Sequence, residues 1–150
     1  MKKSHAVLTT SAVFLSAALV VSYFQIQEPT IKATEVLTWD CGSLVNQPES
    51  ITLTCADGGE LIHSITWTSW TSKSASGTGI YSINLCNPNC AEGEIVEAKV
   101  NLKLSDLTPY KEKFYLKTID IVTQDGKDFP WGKSGMIKWN LMEFQESLES

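Results

Sequence analysis

Ile95 to Leu104 carries the clearest pattern in the chain. Val96, Ala98, Val100, Leu102 and Leu104 take every second position, and Glu97, Lys99, Asn101 and Lys103 fill those between. A period of two puts the first set on one face of an extended strand and the second on the other. The same reading predicts strands over Val36 to Asp40, Ile51 to Cys55, Leu61 to Trp70, Gly79 to Leu85, Phe114 to Thr123 and Met136 to Phe144. Leu116, Ile119 and Ile121 are its buried candidates in Phe114 to Thr123, with Asp120 facing away from Ile119. Turn chemistry separates these runs: Gly42 to Ser50, Asp57-Gly58-Gly59, Ser72 to Ser76, Asn87-Pro88-Asn89 and the long loop Gln124 to Gly135. No window beyond Ala33 shows a helical period. The expectation is an all-β domain, a single antiparallel β-sandwich or barrel of about seven strands.

The chain opens on a different pattern. Met1-Lys2-Lys3 precedes Ala6 to Phe24, an uncharged and mostly apolar run, and Pro29 follows. That is the layout of a secretory signal preceding the β domain. The run is also long enough to span a bilayer as a helix. Cleavage after Ala33, with Ile31 at −3, divides the chain into a signal at 1–33 and a domain at 34–150. A cut after Ser22 is the rarer site. Retention leaves residues 6–24 as an anchor, with Lys2 and Lys3 inside and the domain outside. No cysteine ends the run, so nothing supports a lipoprotein anchor. Every alternative places the domain outside the cytoplasm, secreted or membrane-anchored.

Roughly 117 residues beyond Ala33 are enough for one domain with a core of its own. Cys41, Cys55, Cys86 and Cys90 then suit two disulfides formed in an oxidising compartment. Their pairing follows from strand direction. Antiparallel counting brings Cys55, Cys86 and Cys90 to one end, and bridged Cα atoms must lie within about 7 Å. Local Cys86–Cys90 pairing is open. Pro88 at the second position of a turn from Asn87 to Cys90 favours instead both hairpin cysteines bonding back to Cys41 and Cys55.

The chain has 12 basic residues against 17 acidic ones, a formal charge of −5, and every basic residue is a lysine. The missing guanidinium fork and the acidic balance argue against nucleic acid or an anionic membrane surface as partner.

Leu53-Thr54-Cys55-Ala56-Asp57-Gly58, Ile62, Ile65, Trp67, Trp70, Ala75, Gly77, Gly79, Asn84, Cys86, Pro88-Asn89-Cys90-Ala91 and Gly93 form a recognisable skeleton. This stretch resembles a group of small secreted proteins of actinobacteria. The resemblance implies an exported small domain, and it brings no activity onto any residue.

Chemistry has few candidates. His63 is the one histidine beyond the leader. Zinc needs three or four ligands, and Cys86 and Cys90 are read as oxidised, so no metal and no cofactor is expected. No Gly-x-Ser-x-Gly elbow exists. Asp57, Glu60, Asp106 and Asp120 are the carboxylates from which a glycosidase pair would be drawn, and Asp57 reads as a turn residue. Asp125-Gly126-Lys127-Asp128 lacks the further ligands of a calcium loop. The domain therefore reads as a non-catalytic binding module for an extracellular protein or glycan. The alternative is a small secreted hydrolase using His63 with a nearby serine or carboxylate.

Five tryptophans are many for this length. Strand alternation puts Trp67 and Trp70 on opposite faces unless a bulge intervenes. Trp67 then reads as core. Trp70, Tyr81 and Trp131 are the candidate binding surface.

Overall fold

The computed structural model describes residues 30–132 and 134–143, and these form an all-β domain. A 3-10 turn, Ala33–Glu35, leads into β1 (Val36–Asp40), β2 (Ser43–Val45), β3 (Ile51–Thr52), β4 (Glu60–Trp70), β5 (Ala75–Asn84), β6 (Ile95–Tyr110), β7 (Lys113–Thr123) and β8 (Met136–Asn140). One sheet holds them all, in the order β2-β1-β7-β6-β5-β4-β3, with β8 also paired to β7. The expected signal or anchor at 6–24 lies outside the described residues. Among the described residues no helix is long and apolar enough to cross a membrane.

The domain is all-β as expected, and two features depart from an antiparallel sandwich or closed barrel. The sheet is single and curled into a half-barrel. One pairing is parallel: β1 lies along Phe114 to Leu116 of β7. On the same edge, β8 runs antiparallel along Thr118 to Val122. The two short strands thus meet near the middle of β7. Strand β2 falls inside the segment expected to be a connection. Cys41 and Gly42, both at positive φ, turn the chain there and set Trp39 opposite Leu44.

The alternation read in β6 holds through Leu104, with Val100, Leu102 and Leu104 buried. The strand then continues to Tyr110, past the Leu104 limit expected for it. Asp106 sits at φ +60 within this extension, and its carboxylate accepts the Thr118 hydroxyl. The core gathers Val36, Ile51, Ile62, Ile65, Leu104, Leu116, Ile119 and Ile121. Ile31 packs against it. Asn46 Nδ2 donates to the carbonyls of Ala33 (3.3 Å) and Val36 (2.7 Å). The compact unit accordingly begins at Ile31, two residues before Ala33.

The ends of the curled sheet meet through side chains. Asp40 accepts the Thr52 amide at 2.9 Å, and Cys41 is bonded to Cys55. The Trp70 indole donates to the Val36 carbonyl at 3.2 Å, and the Trp67 indole to that of Pro48 at 2.9 Å. At this seam β1 meets β3 and β4 through side-chain hydrogen bonds and a flanking disulfide in place of ladder hydrogen bonds.

Candidate functional site

Strand β4 decides where the first aromatic pair points. Ser64 and Ile65 together oppose Gly79, and Thr68 is an extra residue between Trp67 and Ser69. Each bulge shifts the phase of the strand by one. Ile62, Ile65, Trp67 and Trp70 therefore share the inner face, and the two indoles meet edge-on with centroids 4.8 Å apart. The opposite-face expectation is corrected by these bulges. Gly77 makes the arrangement possible. A Cβ there would lie 2.7 Å from the Thr66 carbonyl oxygen and 3.0 Å from the Trp67 ring.

Of the candidate surface of Trp70, Tyr81 and Trp131, the structure brings Tyr81 and Trp131 together, but not as an exposed patch, and Trp70 lies apart from them. Trp70 is half-buried at the seam. Tyr81 is only 1% exposed, and its hydroxyl donates to Glu60 at 2.9 Å. Burial, then the Glu60 carboxylate, raises the Tyr81 phenol well above its ordinary range. Trp131 stacks on buried Phe129 at 5.0 Å, and both rings stand edge-on to Tyr81. The loop from Gln124 to Gly135 thus packs on the core through its aromatics.

The four cysteines form two disulfides, Cys41–Cys55 and Cys86–Cys90. The crossed pattern is overturned. The hairpins bearing Cys55 and Cys86 do lie at one end, since Glu60 pairs with Ile83. However, Asn84 gathers the second pair locally. Its side-chain oxygen accepts the Cys86 amide at 2.9 Å, and its Nδ2 donates to the Cys90 carbonyl at 2.8 Å. Gly93 leaves room for the Asn84 side chain, because a Cβ there would collide with its Oδ1. The expectation weighed Pro88 and not this clamp. Two disulfides fit an oxidising compartment outside the cytoplasm.

His63 meets both groups a hydrolase would want. Its Nδ1 lies 3.1 Å from Ser64 Oγ and its Nε2 lies 3.1 Å from Glu97 Oε1. The cluster sits on the outer face of β4 and β6, where Ser64 and Glu97 are exposed. Ser64, at φ +53, belongs to the first bulge. The carboxylates considered for paired acid–base work have separate partners. Asp57 accepts the Gly59 amide, Glu60 holds Tyr81, Asp106 holds Thr118, and Asp120 lies 3.8 Å from Lys138. That last distance is an ion pair without a hydrogen bond, and Asp120 Oδ1 has no hydrogen-bond partner among the described residues. No metal-competent group of three ligands occurs among the described residues.

Clefts indent the surface among the described residues. One, of about 600 Å³, lies beside the Gln124 to Gly135 loop and is lined by Glu97, Lys99, Gln124, Asp125, Lys127 and Asp128 among others. Its charges are mixed, and Lys127 pairs with Asp125 at 3.5 Å. Another, of about 760 Å³, opens beside the seam where β1 ends and β8 arrives. Trp39, Trp139, Leu53, Leu141 and the Cys41–Cys55 bridge supply its apolar lining, with Asp57 and Glu143 as its charged residues. Leu53 and Leu141 are buried, whereas both indoles are half-exposed. Trp139 opposes Ile119 of β7, and Trp39 touches Tyr110 edge-on. Among the described residues neither indole N–H meets an acceptor. The Gly59 amide and the Thr54 hydroxyl hold the Asp57 carboxyl below its usual range, so it carries charge into mildly acidic solution.

Sequence reasoning counted Trp39 and Trp139 without singling them out. The signal that could have found them was position. Trp39 stands two residues before Cys41, and Trp139 stands on the last strand, each near a segment end that must close on something else. Comparisons with family models, curated proteins and solved structures found no match for this chain.

Proposed function

We propose that this chain is an exported, non-catalytic binding domain that takes its ligand between Trp39 and Trp139. The observation behind this is the 760 Å³ cleft with two half-exposed indoles and buried leucines. Such a cleft has the size of a ligand site, and indoles with free edges offer apolar area at little entropic cost. Export is supported by the Lys2-Lys3 and 6–24 layout and by the two disulfides. The partner is an extracellular protein or glycan, and contact with the membrane is through residues 6–24 where these are uncleaved. The test has two arms. Cell fractionation should find the protein in medium, wall or membrane, and a reduced cytoplasmic pool would contradict export. Envelope proteins captured by the wild type should be lost with Trp39→Ala and Trp139→Ala baits. Equal capture by all three would contradict the cleft as the site.

A second reading has one observation in its favour: the contact chain Ser64–His63–Glu97. It reads as a small hydrolase with Ser64 as nucleophile and His63 as base. A flat, exposed setting excludes little water and leaves an oxyanion to solvent, which is the unfavourable half of that chemistry. Turnover of an ester, peptide or glycoside that disappears in His63→Ala would favour this reading over binding.

A further inference from the structure

The cleft between Trp39 and Trp139 has a charge asymmetry that narrows its occupant. Among the described residues, its charged lining consists of Asp57 and Glu143, both carboxylates, with no lysine. Both are exposed, so each meets a ligand at the rim and not in the floor. The Gly59 amide, donated at 3.0 Å, and Thr54 hold the Asp57 carboxyl below its usual range. The indoles add to this bias. The face of an indole is the negative pole of its quadrupole and attracts a cation. An acidic chain of formal charge −5 adds a long-range field of the same sign.

We infer that the occupant is a segment of a protein partner that presents a basic side chain beside an aromatic or aliphatic one. The apolar group would rest on Leu53, Leu141 and the indoles, and the ammonium or guanidinium would reach Asp57 and Glu143. A neutral glycan would stack on the indoles and donate hydroxyls to the carboxylates, but it carries no positive charge to match theirs. This rests on the cleft being the binding site, as proposed above.

The probes are three capped tripeptides, acetyl-Phe-Lys-Phe-amide and its Gln and Glu counterparts, with a neutral tetrasaccharide as a fourth. The readout is the indole N–H shifts of Trp39 and Trp139 in a two-dimensional NMR titration of the folded domain. Exposed charge pairs each contribute roughly twofold to threefold. The Lys peptide should therefore bind about fivefold more tightly than the Gln peptide, and the Glu peptide most weakly. Half-molar salt should shrink that spread. The double variant Asp57→Asn, Glu143→Gln should abolish the spread. Both positions are exposed, and asparagine keeps the turn hydrogen bond, so the fold is preserved. Equal binding of the three peptides, or a tetrasaccharide that outcompetes the Lys peptide, would overturn the charge inference while leaving the cleft as a binding site. No shift of either indole with any probe at several millimolar would overturn both.

Discussion

Two tryptophan pairs sit a short distance apart in this chain and do opposite things. Trp67 and Trp70 share the inner face of β4, touch edge-on, and give their N–H groups to the carbonyls of Pro48 and Val36. Trp39 and Trp139 come from strands on the other side of the seam and line a cleft, and among the described residues neither indole N–H has an acceptor. All four are half-buried. Exposure alone therefore does not separate them. The partner of the N–H does. A buried indole normally finds an acceptor when it belongs to the framework, and one without an acceptor beside a void is free to offer its ring to a ligand.

The comparison can be broken first on stability. Trp67→Ala removes the ring that Gly77 makes room for and leaves the Pro48 carbonyl without its donor. It should cost about 3–5 kcal/mol in chemical denaturation. Trp139→Ala should cost markedly less while removing ligand binding. Equal losses would erase the distinction.

Removing the seam disulfide comes next. Cys41 and Cys55 close a loop with a sequence separation of 14, for which chain entropy gives about 3 kcal/mol. The Cys86–Cys90 bridge spans a separation of only 4 and should contribute less. Paired Cys→Ser variants of each bridge, compared by denaturant midpoint, check the order. Gly77→Ala should follow, at about 1–3 kcal/mol, because its methyl meets the Thr66 carbonyl and the Trp67 ring.

Much of this fold could be read from the sequence, and the exceptions share a cause. Strand β1 lies where alternation and turn residues put it, and β7 starts one residue early. Period two in β6 reports burial faithfully because its partners β5 and β7 are regular alongside it. The same rule failed in β4, where each bulge moves the rest of the strand to the other face. The bulges leave only faint marks: Gly77 and Gly79 on the partner strand, where a Cβ would crowd the Thr66 carbonyl and Trp67 ring, and the Ile62 side chain and His63 carbonyl. The parallel β1–β7 pair was illegible because local pattern carries no partner identity. The cleft was illegible for a related reason. It exists only where the end of β1, the end of β8 and the β3–β4 turn converge, three segments far apart in the chain.

Tyr81 gives a smaller, pH-dependent check on the framework side. Its folded-state value is raised by burial and by Glu60. The stability it contributes is therefore fully present below the ordinary phenol value of about 10. It is lost as pH rises through the folded value. Denaturant midpoints should fall more steeply above pH 10 in the wild type than in Tyr81→Phe. Parallel curves would show that the Tyr81–Glu60 contact is not held in solution. The smallest expected effect is at the entry to the domain. A chain starting at Thr34 loses the packing of Ile31 on the core, and it should be about 1 kcal/mol less stable than one starting at Thr30.

Hydrogen exchange at the indole N–H groups tests the division between the two pairs most directly. In the folded, oxidised domain, followed by NMR in deuterated buffer, the Trp67 and Trp70 signals should persist and those of Trp39 and Trp139 should vanish early. Trp39 and Trp139 exchanging as slowly as Trp67 and Trp70 would contradict the account, because the cleft indoles would then be bonded framework and not a surface waiting for a ligand.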